Sequence, residues 1–367
     1  MVSFISKKRI ESSMRLRVKQ IILILLISQN IFGKKNRLNE LERVTFGSSE
    51  NYQSSLSDTH LYFTKVNKQT LQIYAKNLLT KKEYPVIKGD ADSKDPVFNK
   101  NKNFLAFSYF KHNAKGDVCF IKLPNKTPHC ITKKTWHSSS PFWLGDNILG
   151  FLKKESTNSS LQMCAYDIDT QRTKTLLTKK DISSPVATKD GNFVFFFSKD
   201  KDEDYLAIYD VKKKRQINSI AFLLPGRSGS LSLSDKEDYI YFSHYLNDTN
   251  FDQTIDANDH SVVFRIAKDK LFLTNRRIFS AEQLSSSEYN CNFPKSGKKN
   301  IYLTCSFEGN LQIYKAPKDG LLNNLWGKDQ LWQAHKVARS YSDRLLILAK
   351  IEQIYSKTKD KDYFKSF

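Results

Sequence analysis

Residues 183–211 read SSPVATKDGNFVFFFSKDKDEDYLAIYDV. A short stretch, Ser183–Ala187, meets Lys189-Asp190-Gly191, residues that suit a tight hairpin turn. The aromatic-aliphatic run Phe193–Phe197 follows, then a charged interruption, then Tyr205–Tyr209. Short apolar runs bounded by turn residues, each too brief for a helix, read as successive strands of one antiparallel unit.

The same phrase recurs on both sides. Triplets equivalent to Val194–Phe196 stand at Leu61–Phe63, Leu105–Phe107, Leu149–Phe151, Tyr239–Phe242 and Ile301–Leu303, and their last residues step by 44, 44, 45, 46 and 61. Each is followed by a further strand, such as LQIY at 71–74, VCFI at 118–121 or VVFRI at 262–266. Most units then close with a fourth, as in PVIK, HCIT and KTLLT. Turn-prone residues, such as Ser57-Asp58 and Gly145-Asp146-Asn147, separate the first strand of a unit from the second. Four strands at this period are the signature of propeller blades. One four-stranded sheet cannot bury both its faces, whereas sheets stacked radially cover each other. A sandwich would space single strands evenly but has no reason to repeat a four-strand phrase six times. The expected fold is therefore all-β, a six-bladed β-propeller of four-stranded antiparallel blades over residues 34–320.

These residues resemble the blade repeat of TolB-like (WD40-like) propellers: Pro, then Lys-Asp-Gly, then the aromatic run ending in Phe-Ser, then Ile-Tyr-Asp. The resemblance spans residues 48–318. It is strongest in units two to four and weaker in one and six, where no Pro or Asp-Gly aligns. The WD40 dipeptides Gly-His and Trp-Asp are absent. The resemblance implies a six-bladed propeller, exported in bacteria, that acts by binding and not by catalysis.

A closed ring needs its last blade joined to its first. The strand pattern stops after LQIYKAP at 311–317, leaving blade six one strand short, and ELERVTF at 40–46 is the spare strand expected to supply it. Beyond residue 320, Leu331, His335, Ala338, Leu345, Leu348, Ile351, Ile354 and Tyr355 recur at three and four. That spacing predicts an α-helical tail over 321–367, two amphipathic helices broken near Ser340–Ser342.

The 367 residues carry a net charge of +21, which by itself suggests an acidic partner. Residues 1–43 hold ten basic against three acidic side chains and residues 321–367 nine against five, so the propeller region keeps a surplus of ten. Its lysines are scattered, as on a solvated surface, and no aromatic-basic interleaving of a nucleic-acid binder appears. At the N-terminus Arg15, Arg17 and Lys19 precede the apolar run Ile21–Ile27. Seven apolar residues are too few to span a bilayer but fit the core of a secretory signal. The expectation is a signal peptide over 1–33, with Met14 a candidate start, no transmembrane segment in the mature chain, and a periplasmic or secreted monomer.

The cysteines agree with export. Cys119 and Cys130 flank a turn centred between Pro124 and Asn125, and Cys291 and Cys305 are symmetric about Lys298. Opposed positions on paired strands lie within disulfide reach, so two disulfides and oxidising surroundings are expected. Cys164 has no such counterpart and reads as a buried thiol.

One stretch carries metal chemistry. Between the second and third strands of the long fifth unit lies DTNFDQTIDAND, with Asp248, Asn250, Asp252, Thr254, Asp256 and Asp259 at positions 1, 3, 5, 7, 9 and 12 of a calcium loop and Ile255 at position 8. Gln253 stands where the motif prefers Gly, and Asp259 replaces the usual Glu, an ending similar to dockerin-type loops. A structural Ca²⁺ is the expected cofactor. The seven histidines form no HxH or HExxH pair, and neither a G-x-S-x-G elbow nor a P-loop is present. Trp136 and Trp143 are expected to pack between blades more than to line the channel. The functional expectation is a non-catalytic exported scaffold for a protein or cell-envelope partner, the alternative a propeller enzyme or glycan-binding module with its site in the central channel.

Overall fold

A computed structural model describes residues 41–318, apart from 88, 126, 132–135, 157, 201–202, 223–225, 247, 274–276, 279–280 and 286–288. The expected signal peptide over 1–33, the start at Met14 and the helical tail at 321–367 lie outside the described residues. The described strands form six sheets, each built on four antiparallel strands. Blade one is Asn51–Leu56, His60–Asn67, Thr70–Asn77 and Glu83–Pro85; blade two is Ser93–Asn99, Phe104–Tyr109, Asp117–Lys122 and His129–Cys130. Blade three is His137–Trp143, Ile148–Lys154, Leu161–Asp167 and Arg172–Lys179; blade four begins Ser183–Ala187, Phe193–Asp200, Glu203–Asp210 and Arg215–Phe222. Blade five is Arg227–Leu233, Tyr239–Tyr245, Ser261–Ala267 and Glu282–Gln283. The first strand of each blade touches those of both neighbouring blades, blade six closing on blade one, so six first strands surround one axis.

Blade six takes Cys291–Ser296, Asn300–Glu308 and Asn310–Pro317 from the C-terminal side of the ring and Glu42–Arg43 from the N-terminal side. The seam continues past the strand. The Val44 amide donates to the Ile313 carbonyl at 2.8 Å, and the Thr45 hydroxyl accepts from the Ile313 amide at 2.9 Å while donating to Gln312 Oε1. Val44, Leu61, Phe63, Tyr302 and Ile313 form an apolar cluster across the same seam.

Packing between blades explains why the central strands are apolar without alternation. In the second strand of blade four, Phe195 and Phe197 pack with Ile240, Phe242 and Phe264 of blade five. The intervening Val194 and Phe196 pack with Phe142, Leu152 and Met163 of blade three. Successive side chains point to opposite faces, and here both faces are core.

The structure also holds elements that the period does not announce. Blade four gains a fifth strand, Arg277–Ile278, parallel to its outer edge and contributed by the chain between the third and fourth strands of blade five. A one-turn helix, Lys268–Leu273, precedes it. Each first strand carries a β-bulge at the same height. In four blades a residue at positive φ precedes proline there: Asp95-Pro96, Ser140-Pro141, Ser184-Pro185 and Phe293-Pro294. Pro294 thus gives blade six the proline that sequence comparison of the units leaves unaligned.

Both expected disulfides are present. Cys119 and Cys130 are register partners joined across the outer strand pair of blade two, and Cys291 and Cys305 join the inner pair of blade six. Cys164 is a buried free thiol, its pKa raised by burial.

Candidate functional site

The repeat gives the ring two chemically different ends. Turns between first and second strands gather at one end, here called the turn end. Loops between second and third strands, and the connectors from blade to blade, gather at the other, the connector end.

From the bulges to the turn end runs an axial cavity of about 310 Å³. Its wall is largely apolar, with Leu56, Val97, Phe142, Trp143, Val186 and Leu231 among its residues. The side chain following each bulge is Ser55, Val97, Phe142, Val186, Leu231 and Lys295 in blades one to six. Lys295 is therefore the single amine of this ring, whose other members are apolar apart from Ser55, and burial pushes its pKa down from the lysine range to about 8. Trp143 both packs between blades and lines this cavity. Its indole Nε1 donates to the Val97 carbonyl of blade two at 2.9 Å, and its ring stacks on Phe104.

Charges draw the mouth of the cavity together. Lys100 Nζ lies 3.3 Å from Asp58 of blade one and 3.3 Å from Asp235 of blade five, across the axis. Lys298 pairs with Asp58 at 3.3 Å, and Lys189 Nζ donates to the Asp235 carbonyl. Asn101 Nδ2 donates to Asp146 Oδ1 at 2.6 Å. The sequence shows turn residues at these places; their convergence on one rim comes only from the ring.

At the connector end a second hollow of about 320 Å³ lies where blades three, four and five meet. Lys154, Lys180, Lys199 and Arg227 line it together with Asp181 and Asp204. Asp204 Oδ2 accepts the Ser228 amide at 2.5 Å, tying blade four to blade five beneath the hollow. Four basic side chains from three blades converge there although they are scattered in sequence.

The acidic loop of blade five also lies at the connector end, between Tyr239–Tyr245 and Ser261–Ala267. Asp259 is its internal anchor. Oδ1 accepts from the Thr249 amide and hydroxyl and the Asn250 amide, and Oδ2 accepts from the Asp256 amide at 2.8 Å. These bonds, led by that of Asp256, hold its pKa below the usual carboxylate value. Asp248 accepts the amides of Asp252 and Gln253 at 3.2 and 2.7 Å, folding the loop back on itself. Gln253 adopts φ 69°, the left-handed geometry for which a glycine is usual, so the sharp turn forms without one. Asp252 Oδ1 accepts the Thr254 hydroxyl and amide, and Asp256 accepts the Asn258 amide. The six expected ligands thus share one loop, with Asp259 turned inward. Among the described residues no three His, Cys, Asp or Glu side chains stand grouped as a metal site.

Comparison with known proteins bears on the fold. No protein-family profile and no curated protein matches the sequence. Solved structures do match in shape. A TolB structure from Agrobacterium tumefaciens superposes with a TM-score of 0.52 at 16% identity, covering 65% of this chain and 82% of that one. The fold is that of a TolB-like propeller. TolB from Acinetobacter baumannii matches at 0.50 and 13% identity, over 71% of this chain and 64% of the other. An oligogalacturonate lyase from Vibrio parahaemolyticus matches at 0.50 and 12% identity, over 76% and 93%. One fold therefore carries TolB proteins and a lyase, and function has to be read from this chain's own surfaces.

Proposed function

We propose that this TolB-like propeller is an exported, non-catalytic scaffold that binds a protein or cell-envelope partner at its connector end. The observation that carries the reading is the polar hollow in which Lys154, Lys180, Lys199 and Arg227 converge beside only two carboxylates. A concave surface rich in one sign of charge focuses its field outward and favours acidic groups on a partner. The two formed disulfides support an oxidising location, where such bonds persist. The acidic loop of the same end is proposed as a calcium element, with Asp248, Asn250, Asp252, Thr254, Asp256 and Asp259 as its ligand set and a structural role in ordering the loop. Ca²⁺ accepts such a mixture of carboxylate, amide and carbonyl oxygens.

Charge reversal tests the assignment of the face. The chain from residue 41 is used to capture partners from a cell-envelope extract, beside a Lys154→Glu, Lys199→Glu, Arg227→Glu triple variant. Capture by the wild type and its loss in the triple variant, with thermal stability unchanged, is the expected result. Equal capture by both would remove the connector end from the function.

A further inference from the structure

We propose that the axial cavity is a second binding site, for a small amphiphilic monoanion: a carboxylate on a short apolar chain, held by Lys295. The cavity shares no lining residue with the connector-end hollow, so the two sites stand or fall separately.

Three observations meet at this place. The first is the exception to the repeat, since Lys295 occupies a position filled in the other blades by Ser55, Val97, Phe142, Val186 and Leu231. Nothing in the fold requires an amine there. The second is its lack of a counter-charge. Lys295 has no hydrogen-bond or ion-pair partner among the described residues, whereas the other lysines of the cavity, Lys100 and Lys189, are engaged by Asp58 and Asp235. Lys295 is half-buried, and an ammonium drawn partly out of water without a counter-ion is held at a cost that a ligand carrying that counter-ion relieves. The third is the space. About 310 Å³ is at the small end of ligand pockets, and at the level of Lys295 the first strands present Val97, Phe142, Val186 and Leu231 to it.

Together these select the ligand class. A neutral apolar molecule would fill the wall but leave Lys295 unpaired. A compact polar anion such as phosphate would pair with one amine and leave its remaining oxygens against Val97, Phe142 and Leu231. A carboxylate with an apolar tail satisfies both parts, with a charge-assisted hydrogen bond at the head and burial along the chain.

Calorimetric titration with octanoate, and with octanol as the uncharged control, tests this on the wild type and on Lys295→Met. Octanoate is expected to bind the wild type at one site, and Lys295→Met to weaken it by about tenfold to a hundredfold, the scale of one hydrogen bond to a charged group. Octanol is expected to bind the variant at least as well as the wild type. Since Met replaces an unpaired amine with an apolar chain of similar length, the variant is expected to melt no lower than the wild type. No binding of octanoate to the wild type, or equal binding to both proteins, would overturn the proposal. So would a lower melting temperature of the variant, because it would mean that the protein itself already holds the amine.

Discussion

The two ends of this ring are made by the same six strand sets, yet they differ in how much freedom the chain has. At the turn end the first-to-second turns are short and tied to one another, with Lys100 bridging Asp58 and Asp235 across the axis. At the connector end blade five alone spends residues 246–260 on one loop, and the basic hollow between blades three, four and five lies open. The contrast follows from geometry. First-to-second turns crowd around a narrow axis, where length is penalised by collision. Second-to-third loops and blade connectors project where the ring widens, and added residues there cost little. A propeller can therefore vary its connector end and its outer strands freely, as the Lys268–Leu273 helix leaving blade five beside Asp238 also shows, while the turns around its axis change by single side chains such as Lys295.

Three experiments probe this difference, and the one with the largest effect concerns what both ends share. Removing residues 41–46 takes away the closing strand and the Val44 and Thr45 bonds to Ile313. Blade six then has an open edge beside blade one, and both ends lose their frame. The melting temperature is expected to fall by about ten degrees or more, or the chain to fail to fold, as followed by calorimetry. An unchanged melting temperature would mean that the ring does not depend on this seam.

The second result is confined to the connector end. Calcium at about 5 mM, in the range of extracellular sites, is expected to raise the melting temperature by a few degrees. The rise is expected to vanish in Asp248→Ala plus Asp252→Ala. A chain indifferent to calcium would leave Asp259 and its amide partners as a self-contained loop without a metal.

The third and smallest belongs to the axis. Burial lowers the Lys295 pKa to about 8 from 10.5, so between those values the unfolded chain binds a proton that the folded chain has released. Stability then rises with pH through that window, and the penalty is complete below about pH 8, where both states are protonated. Denaturant titrations at pH 7.5 and 9.5 are expected to show Lys295→Met exceeding the wild type most at the lower pH. A constant difference between the two proteins would contradict the buried amine.

What the sequence discloses, and what it withholds, follows the range of the interactions involved. Blade count, closure by a strand within residues 40–46 and both disulfides are legible because each depends on a repeated local phrase or on symmetry about one hairpin. Cys291 and Cys305 needed only the centre of a turn. The parallel strand Arg277–Ile278 was not legible, since two residues inside an insertion carry no period and their partner strand ends at Phe222, far back in the chain. Lys295 was also missed as a site residue. Alignment of the units on the bulge proline, Pro96, Pro141, Pro185 and Pro294, would have placed it beside Val97, Phe142 and Val186 and exposed it as the odd member. Convergence of Lys154, Lys180, Lys199 and Arg227 had no such signal, because it arises only when three blades are set side by side.

The most direct test of the division between the ends is photo-crosslinking in the producing cell. A benzoylphenylalanine is introduced in place of Arg227 at the connector end or of Lys299 at the turn end. A discrete partner adduct is expected from the first position and none from the second. An adduct confined to position 299 would contradict it and move the partner-binding face to the opposite end of the ring.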